Sequence, residues 1–159
     1  MKPQNARSEA PEDPLAQSMI HLLHRASQCA SDVFQLVVRR NLTLRQYTVL
    51  CAVAENEGPW QIDLAHITGI DRSTMAEMVR RLVKKGLVRR RRSREDARAY
   101  IIALTEQGQR LLKEAEPLAH QVDNKIFSTL STADRDRFVE NLSQIVHAAH
   151  GEPLRAGER

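Results

Sequence analysis

Apolar residues recur three and four positions apart from Leu15 to about Arg40, at Leu15, Met19, Leu22, Leu23, Ala26, Ala30, Val33, Phe34 and Val37. That spacing lines one face of a long amphipathic helix, for which Asn41 supplies a stop. Thr43 stands three residues before Gln46, a capping-box arrangement that opens a second helix with Tyr47, Leu50, Cys51 and Ala54 inward, ended by Gly58-Pro59. A short helix from about Gln61 to Thr68 follows, with Ile62, Leu64, Ala65 and Ile67 mostly buried, and Gly69 closes it. Asp71 caps the next helix, about Arg72 to Lys85, which turns Met75, Met78, Val79, Leu82 and Val83 to one side. Its other side carries Ser73, Thr74, Glu77, Arg80, Arg81 and Lys84. Gly86 sits where a helix end needs positive φ. Leu87–Arg91 and Tyr100–Leu104 then read as two strands, separated by a charged tip at residues 92 to 99. Thr105 caps a long helix through Leu111, Leu112, Ala115, Leu118, Ala119, Val122 and Ile126 to Leu130, which Pro117 should bend. Ser131 and Asp134 form the cap of a last helix, striped by Phe138, Leu142, Ile145, Val146 and Ala149.

The fold class that results is mainly α with a small β-hairpin. A short helix, a tight turn at Gly69 and a second helix with a polar face make a helix-turn-helix, and the hairpin that follows is its wing. Long helices flank this unit. About 26 residues from Thr105 to Leu130 would extend roughly 39 Å, more than one chain of this size readily covers, so the flanking stripes call for a partner. The organisation expected is therefore a disordered arm at 1–14 and an N-terminal dimerisation helix at 15–42. A winged helix-turn-helix region follows at 43–105, then C-terminal dimerisation helices at 106–150 and a flexible tail at 151–159. The arm holds three of the six prolines and almost nothing apolar, so it cannot offset the entropy of ordering.

Composition narrows the class of function. With 42% apolar and only 4% aromatic residues in 159, the interior must be Leu, Ile, Val, Ala and Met, as in packed helices. Two cysteines, no charged region leading into an apolar run with a cleavage site, and no stretch of roughly 18 apolar residues point to a reduced, cytoplasmic chain without a membrane span. Charge changes the picture more. Lys84, Lys85, Arg89, Arg90, Arg91, Arg92, Arg94 and Arg98 face only Glu95 and Asp96 in one window, a net of +6 in a chain whose total is +4. Such concentration fits a polyanionic partner, although it also suits a solvated loop. The basic density falls on the wing that helix-turn-helix geometry presses against phosphates. The second helix of the pair would bring Arg72, Ser73, Thr74 and Glu77 towards base edges in the major groove, with Arg80 and Arg81 beside them. Its amino terminus would offer phosphate a favourable dipole and free N–H groups. Arg91 would meet the backbone. Arg94 and Arg98 at the hairpin tip would follow the negative potential of the minor groove, with Asp96 holding Arg98 in a bidentate pair.

The segments LTLRQYTVL at 42–50 and QIDLAHITGIDRSTMAEMVRRLVKKGLVRRRRSREDARAYIIALTEQG at 61–108 resemble the multiple-antibiotic-resistance regulator (MarR) family. The likeness is carried above all by the Asp-x-Arg pair, followed by Leu-Thr and Gly. It covers roughly residues 42 to 112, while the flanking helices match only in position and length. The resemblance implies an obligate homodimer whose first and last helices interlock, whose winged helices read a palindromic operator in double-stranded DNA, and which represses until a small molecule releases it. It implies an effector pocket near the first, second and fifth helices. The nearby cationic or titratable residues are His21, His24, Arg25, Arg39, Arg40 and Arg45, which fit an anionic aromatic acid or its coenzyme A thioester. The same groups also suit an outer helix surface paired with Asp32.

Other readings stay open. Cys29 and Cys51 look like small buried hydrophobes, inert unless their thiolates are stabilised, yet cysteine-redox sensing is an alternative on the same fold. His21 with His24, and His147 with His150, lack third and fourth ligands, which leaves metal sensing weakly supported. No cofactor is implied. Trp60 reads as a packing residue. An enzyme is the rival of a different class, but no nucleophile elbow, phosphate-cradling glycine loop or metalloprotease helix is present. A winged helix used for protein or RNA contacts is the third possibility.

Overall fold

Ser18 opens the first helix: its backbone is extended and its Oγ accepts the His21 amide at 3.4 Å. The helix α1 (Met19–Val38) therefore begins four residues later than the apolar spacing predicts. Its end is set by two left-handed residues, Arg39 at φ 42° and Asn41 at φ 53°, so Asn41 lies just past the stop rather than at it. The computed structural model describes residues 15, 17–39, 41–93 and 100–151. The expectations for 1–14, for Arg40, for Arg94, Asp96 and Arg98 and for the segment 152–159 lie outside the described residues. The chain divides into two compact units, one ending at Val122 and the other starting at Asp123.

In the first unit only the last turns of α1 pack inward. Phe34 and Val38 are buried, and the Phe34 ring meets Tyr47 at a centroid distance of 5.4 Å. Met19 and Leu22 are 70% and 48% exposed, so the early part of the stripe finds little cover within its own unit. Helix α2 (Leu44–Glu55) starts at the expected capping box: Gln46 N–H donates to Thr43 Oγ1 and Thr43 N–H to Gln46 Oε1, both at 3.2 Å. Its buried face is rotated from the expectation. Val49, Leu50, Ala52 and Val53 are inside, while Tyr47 and Cys51 are half-buried and Ala54 is exposed. The reason is that both faces of this helix are apolar, so the elements across from it decide which is buried.

Helix α3 (Gln61–Thr68) ends at Gly69 with φ 68°. It buries Leu64 and Ala65 and leaves Ile62 and Ile67 exposed, so only half of its expected face is inside. Trp60 is 43% exposed, not enclosed as a packing residue. Helix α4 (Arg72–Lys84) buries Met75, Val79 and Leu82. Gly86 takes φ 69° and lets the chain turn back, with its amide on Val83 O and that of Leu87 on Leu82 O. The strands β1 (Val88–Arg92) and β2 (Tyr100–Leu104) pair antiparallel, with Val88 opposite Leu104 and Arg90 opposite Ile102. β1 starts one residue later than predicted because Leu87 is held by α4. Segment 59–60 joins the hairpin, which the sequence did not foretell: Ile102 N–H donates to Pro59 O, and Trp60 bridges Ile101.

Thr105 caps α5 (Glu106–Ile126), its Oγ1 accepting the Gly108 amide at 3.0 Å while its hydroxyl donates to Gly86 O. Gly108 lies so close to the hairpin base that a Cβ there would stand 2.0 Å from Leu87 O. Ala115 and Val122 complete this side of the core. The helix runs on through Pro117 but ends at Ile126, short of the expected Leu130. In the second unit the chain turns there: Leu130 N–H donates to Phe127 O, and Arg135 Nε donates to Phe127 O at 3.0 Å and to Leu130 O at 3.3 Å. Ser131 Oγ accepts the Asp134 amide at the start of α6 (Thr132–Gly151), as expected. Phe127 and Phe138 rings lie 5.7 Å apart, and the α6 stripe leaves Phe138, Ile145 and Val146 exposed.

Candidate nucleic-acid interface

Asp71 sets the first turn of α4. Its Oδ1 accepts the Thr74 amide at 2.9 Å and the Ser73 hydroxyl at 2.6 Å. The hydroxyl of Ser73, then the hydroxyl and amide of Thr74, hold the Asp71 carboxyl far below the usual carboxylate range. Two consequences follow. The α4 amino terminus is not the open anion site the sequence led us to expect, because a fixed carboxylate already takes Thr74 N–H. Ser73, its proton committed to Asp71, faces outward as an acceptor. The cap also has a pH signature. Because the folded pKa is depressed, the contribution of the carboxylate is complete above the unfolded value of 3.8 and is lost as pH falls below it. Asp71→Asn keeps a capping oxygen without the charge. The stability gap between wild type and this variant is expected to be constant near neutrality and to shrink in acid, as read by denaturant melts. A gap unchanged down to about pH 2 would show that Ser73 and Thr74 do not hold this carboxylate.

Of the residues assigned to DNA on α4, Arg72, Ser73, Arg80 and Arg81 are exposed, and Thr74 and Glu77 are half-buried. Ser73, Glu77, Arg80 and Arg81 lie on the side away from Met75, Val79 and Leu82, Thr74 flanks them, and Arg72, on the same side as Val79, is exposed at the amino-terminal end of the helix. Glu77 proves to be an ion-pair centre: its Oε1 accepts Arg81 Nε at 2.8 Å and its Oε2 pairs with the Arg80 guanidinium. On β1 four arginines in a row, Arg89 to Arg92, are exposed. Strand alternation divides them between the two faces of the hairpin. Arg91 lines a cleft that also holds Glu57, Trp60 and Asp63.

The residues expected to form an effector pocket are not brought together. Arg45 lines a cleft of about 620 Å³ between α1, α2 and the α3–α4 turn, but His21, His24, Arg25 and Arg39 do not. Arg39 Nε instead donates to Leu36 O at 2.9 Å. The cleft is lined by side chains that sequence reasoning passed over, Ser27, Ser31 and Gln35 of α1, Thr48 of α2 and Thr68 of α3, together with Asp71 and Thr74, which it had assigned other roles. A signal did exist, since Ser27, Ser31 and Gln35 recur every four residues as a polar stripe on α1. Of the three helices that the resemblance names for the pocket, α1 and α2 line this cleft and no α5 residue does.

Both cysteines differ from the buried pair expected. Cys29 is exposed on α1 because only the last turns of that helix are covered, and Cys51 is half-buried. Burial pushes the Cys51 thiol up, against the lowering effect of a Tyr47 hydrogen bond, which disfavours the reactive thiolate. Among the described residues no three His, Cys, Asp or Glu side chains gather as a metal site. No described helix is long and apolar enough to cross a membrane.

Comparison with known proteins places this geometry. The MarR family model matches residues 42–100. The transcriptional regulator HosA of Escherichia coli O157:H7 is 32% identical over 107 residues, covering 67% of this chain and 79% of its own. Among solved structures, Bordetella bronchiseptica BpsR, described in a mechanism for regulation of its DNA binding by 6-hydroxynicotinic acid, superposes with a TM-score of 0.78 at 29% identity. It covers 86% of this chain and 98% of its own. The transcriptional repressor CouR, bound to a 23-mer DNA duplex, gives a TM-score of 0.77 at 30% identity, covering 87% and 99%.

Proposed function

Because the chain belongs to the MarR family of DNA-binding transcriptional regulators, we propose that it is a homodimeric repressor of a palindromic operator, released by a small aromatic acid. The observation that carries this reading is the outward side of α4, with Arg72, Ser73, Arg80 and Arg81 free of the core and an arginine strand directly after it. One such helix fills one major groove, and two copies on a twofold axis meet half-sites one helical turn or a multiple of it apart. Residues 15–42 and 106–150 supply the dimerisation helices, and the exposed apolar residues of α1 and α6 support that role. In the same reading Arg94 and Arg98 enter the minor groove and Asp96 aims Arg98.

The effector reading is supported by BpsR, whose DNA binding is described as regulated by 6-hydroxynicotinic acid, and by the polar cleft beside α4. Its lining offers one guanidinium, Arg45, and one carboxylate, Asp71, whose Oδ1 is already engaged by Ser73 and Thr74, among hydroxyls and amides. That matches a single carboxylate on a hydroxylated ring better than the several phosphates of a coenzyme A thioester. Occupancy would favour an arrangement of the two recognition helices that no longer matches the operator. The test is a fluorescence-anisotropy titration of upstream intergenic duplexes with and without aromatic acids. Sequence-selective binding that weakens about tenfold or more with one acid is expected, within the usual range of such coupling. Arg45→Ala should keep the DNA affinity and lose the response. Operator binding that no aromatic acid relieves would refute this effector, and binding without sequence preference would refute the regulator.

A further inference from the structure

Glu77 was placed with the base-reading side chains by its position on α4, but its contacts give it another task. Resting on the reading of α4 as the base-facing helix, we infer that Glu77 is a positioning residue that fixes Arg80 and Arg81 as a pre-set pair for sequence discrimination. Both of its carboxylate oxygens are engaged by guanidiniums three and four residues on. The acid is the least exposed of the three, at 37% against 74% and 67% for the arginines, so it lies beneath them and they project outward. Arg81 is held through Nε. Its two terminal nitrogens remain for the bidentate contact that arginine makes with guanine O6 and N7. A long side chain that is already oriented loses less rotamer freedom on docking.

Charge alone predicts the opposite of what this role predicts, which makes the inference decidable. An acid in a DNA interface repels phosphate, so neutralising it should tighten every duplex. If Glu77 aims the arginines, Glu77→Gln instead weakens the preferred duplex while leaving other duplexes unchanged or tighter. The probe is the duplex that wild-type protein enriches from a randomised library, compared with a shuffled duplex of the same composition. E77Q is expected to lower the preference for the enriched duplex about tenfold, the scale of one bidentate base contact. Exposed ion pairs add little to stability, so its melting should match wild type. In a background carrying Arg80→Ala and Arg81→Ala, E77Q should no longer change the preference, since the acid acts only through those side chains. Tighter binding to both duplexes alike, or a loss that persists without the two arginines, would overturn the inference. A wild-type chain that enriches no duplex would instead remove the DNA-reading role of α4, and this inference with it.

Discussion

Gly108→Ala is expected to destabilise the protein by about 2 kcal/mol or more, even though alanine is the better helix former by about 1 kcal/mol. The two effects oppose, and magnitude decides. A Cβ at this position would stand 2.0 Å from Leu87 O and 3.0 Å from Leu87 C, and both are backbone atoms that no rotamer change can move aside. Relief requires the first turn of α5 to back away from the hairpin base, which would break the Thr105 bonds to Gly86 O and Leu87 O. A melting temperature lower by roughly 5 °C or more would register this at the present chain length. Gly69→Ala is the control. Nothing lies within 4 Å of its would-be Cβ, so only the left-handed backbone resists, at about 1 kcal/mol. If Gly108→Ala melts with wild type, the close approach of α5 to the hairpin is wrong.

The larger effect on function should come from charge on the early part of α1, outside the recognition helix. Ile20 is 82% exposed and Leu23 43% exposed, and neither belongs to the buried set of its unit. Ile20→Asp with Leu23→Asp should therefore leave the winged region folded and abolish pairing of two chains. Operator affinity should then fall about 100-fold, because the second half-site is no longer delivered at high effective concentration. Sedimentation and anisotropy read the two halves of this result, and wild-type melting should rise with protein concentration while that of the variant should not. A variant that remains dimeric and binds as wild type would place the association surface elsewhere.

How far the sequence could be read depended on whether a signal was local. The Thr43–Gln46 box, the Asp71, Thr105 and Ser131 caps and the left-handed Gly69 and Gly86 each depend on a few neighbouring residues, and each is present. Failures came where a distant element decided. Hydropathy chose Cys51 and Ala54 for the inside of α2, but the helix buries Ala52 and Val53, because the packing around it selects between two apolar faces. The turn that ends α5 early is bonded by Arg135 from its far side, a contact no local pattern shows. The polar cleft escaped notice since Ser27, Thr48 and Asp71 meet only after three segments fold together. The hairpin tip at 94–99, where the sequence placed Arg94, Asp96 and Arg98, lies outside the described residues.

The hydroxyl of Thr105 bears on how such a protein can switch. One oxygen donates at the carbonyls of Gly86 and Leu87 and accepts from Gly108, so the end of α4, the root of β1 and the start of α5 share a single knot. A knot of that kind is not a hinge. In the proposed reading α4 and its wing would travel as one lever, and a signal that changes their aim would act outside this knot.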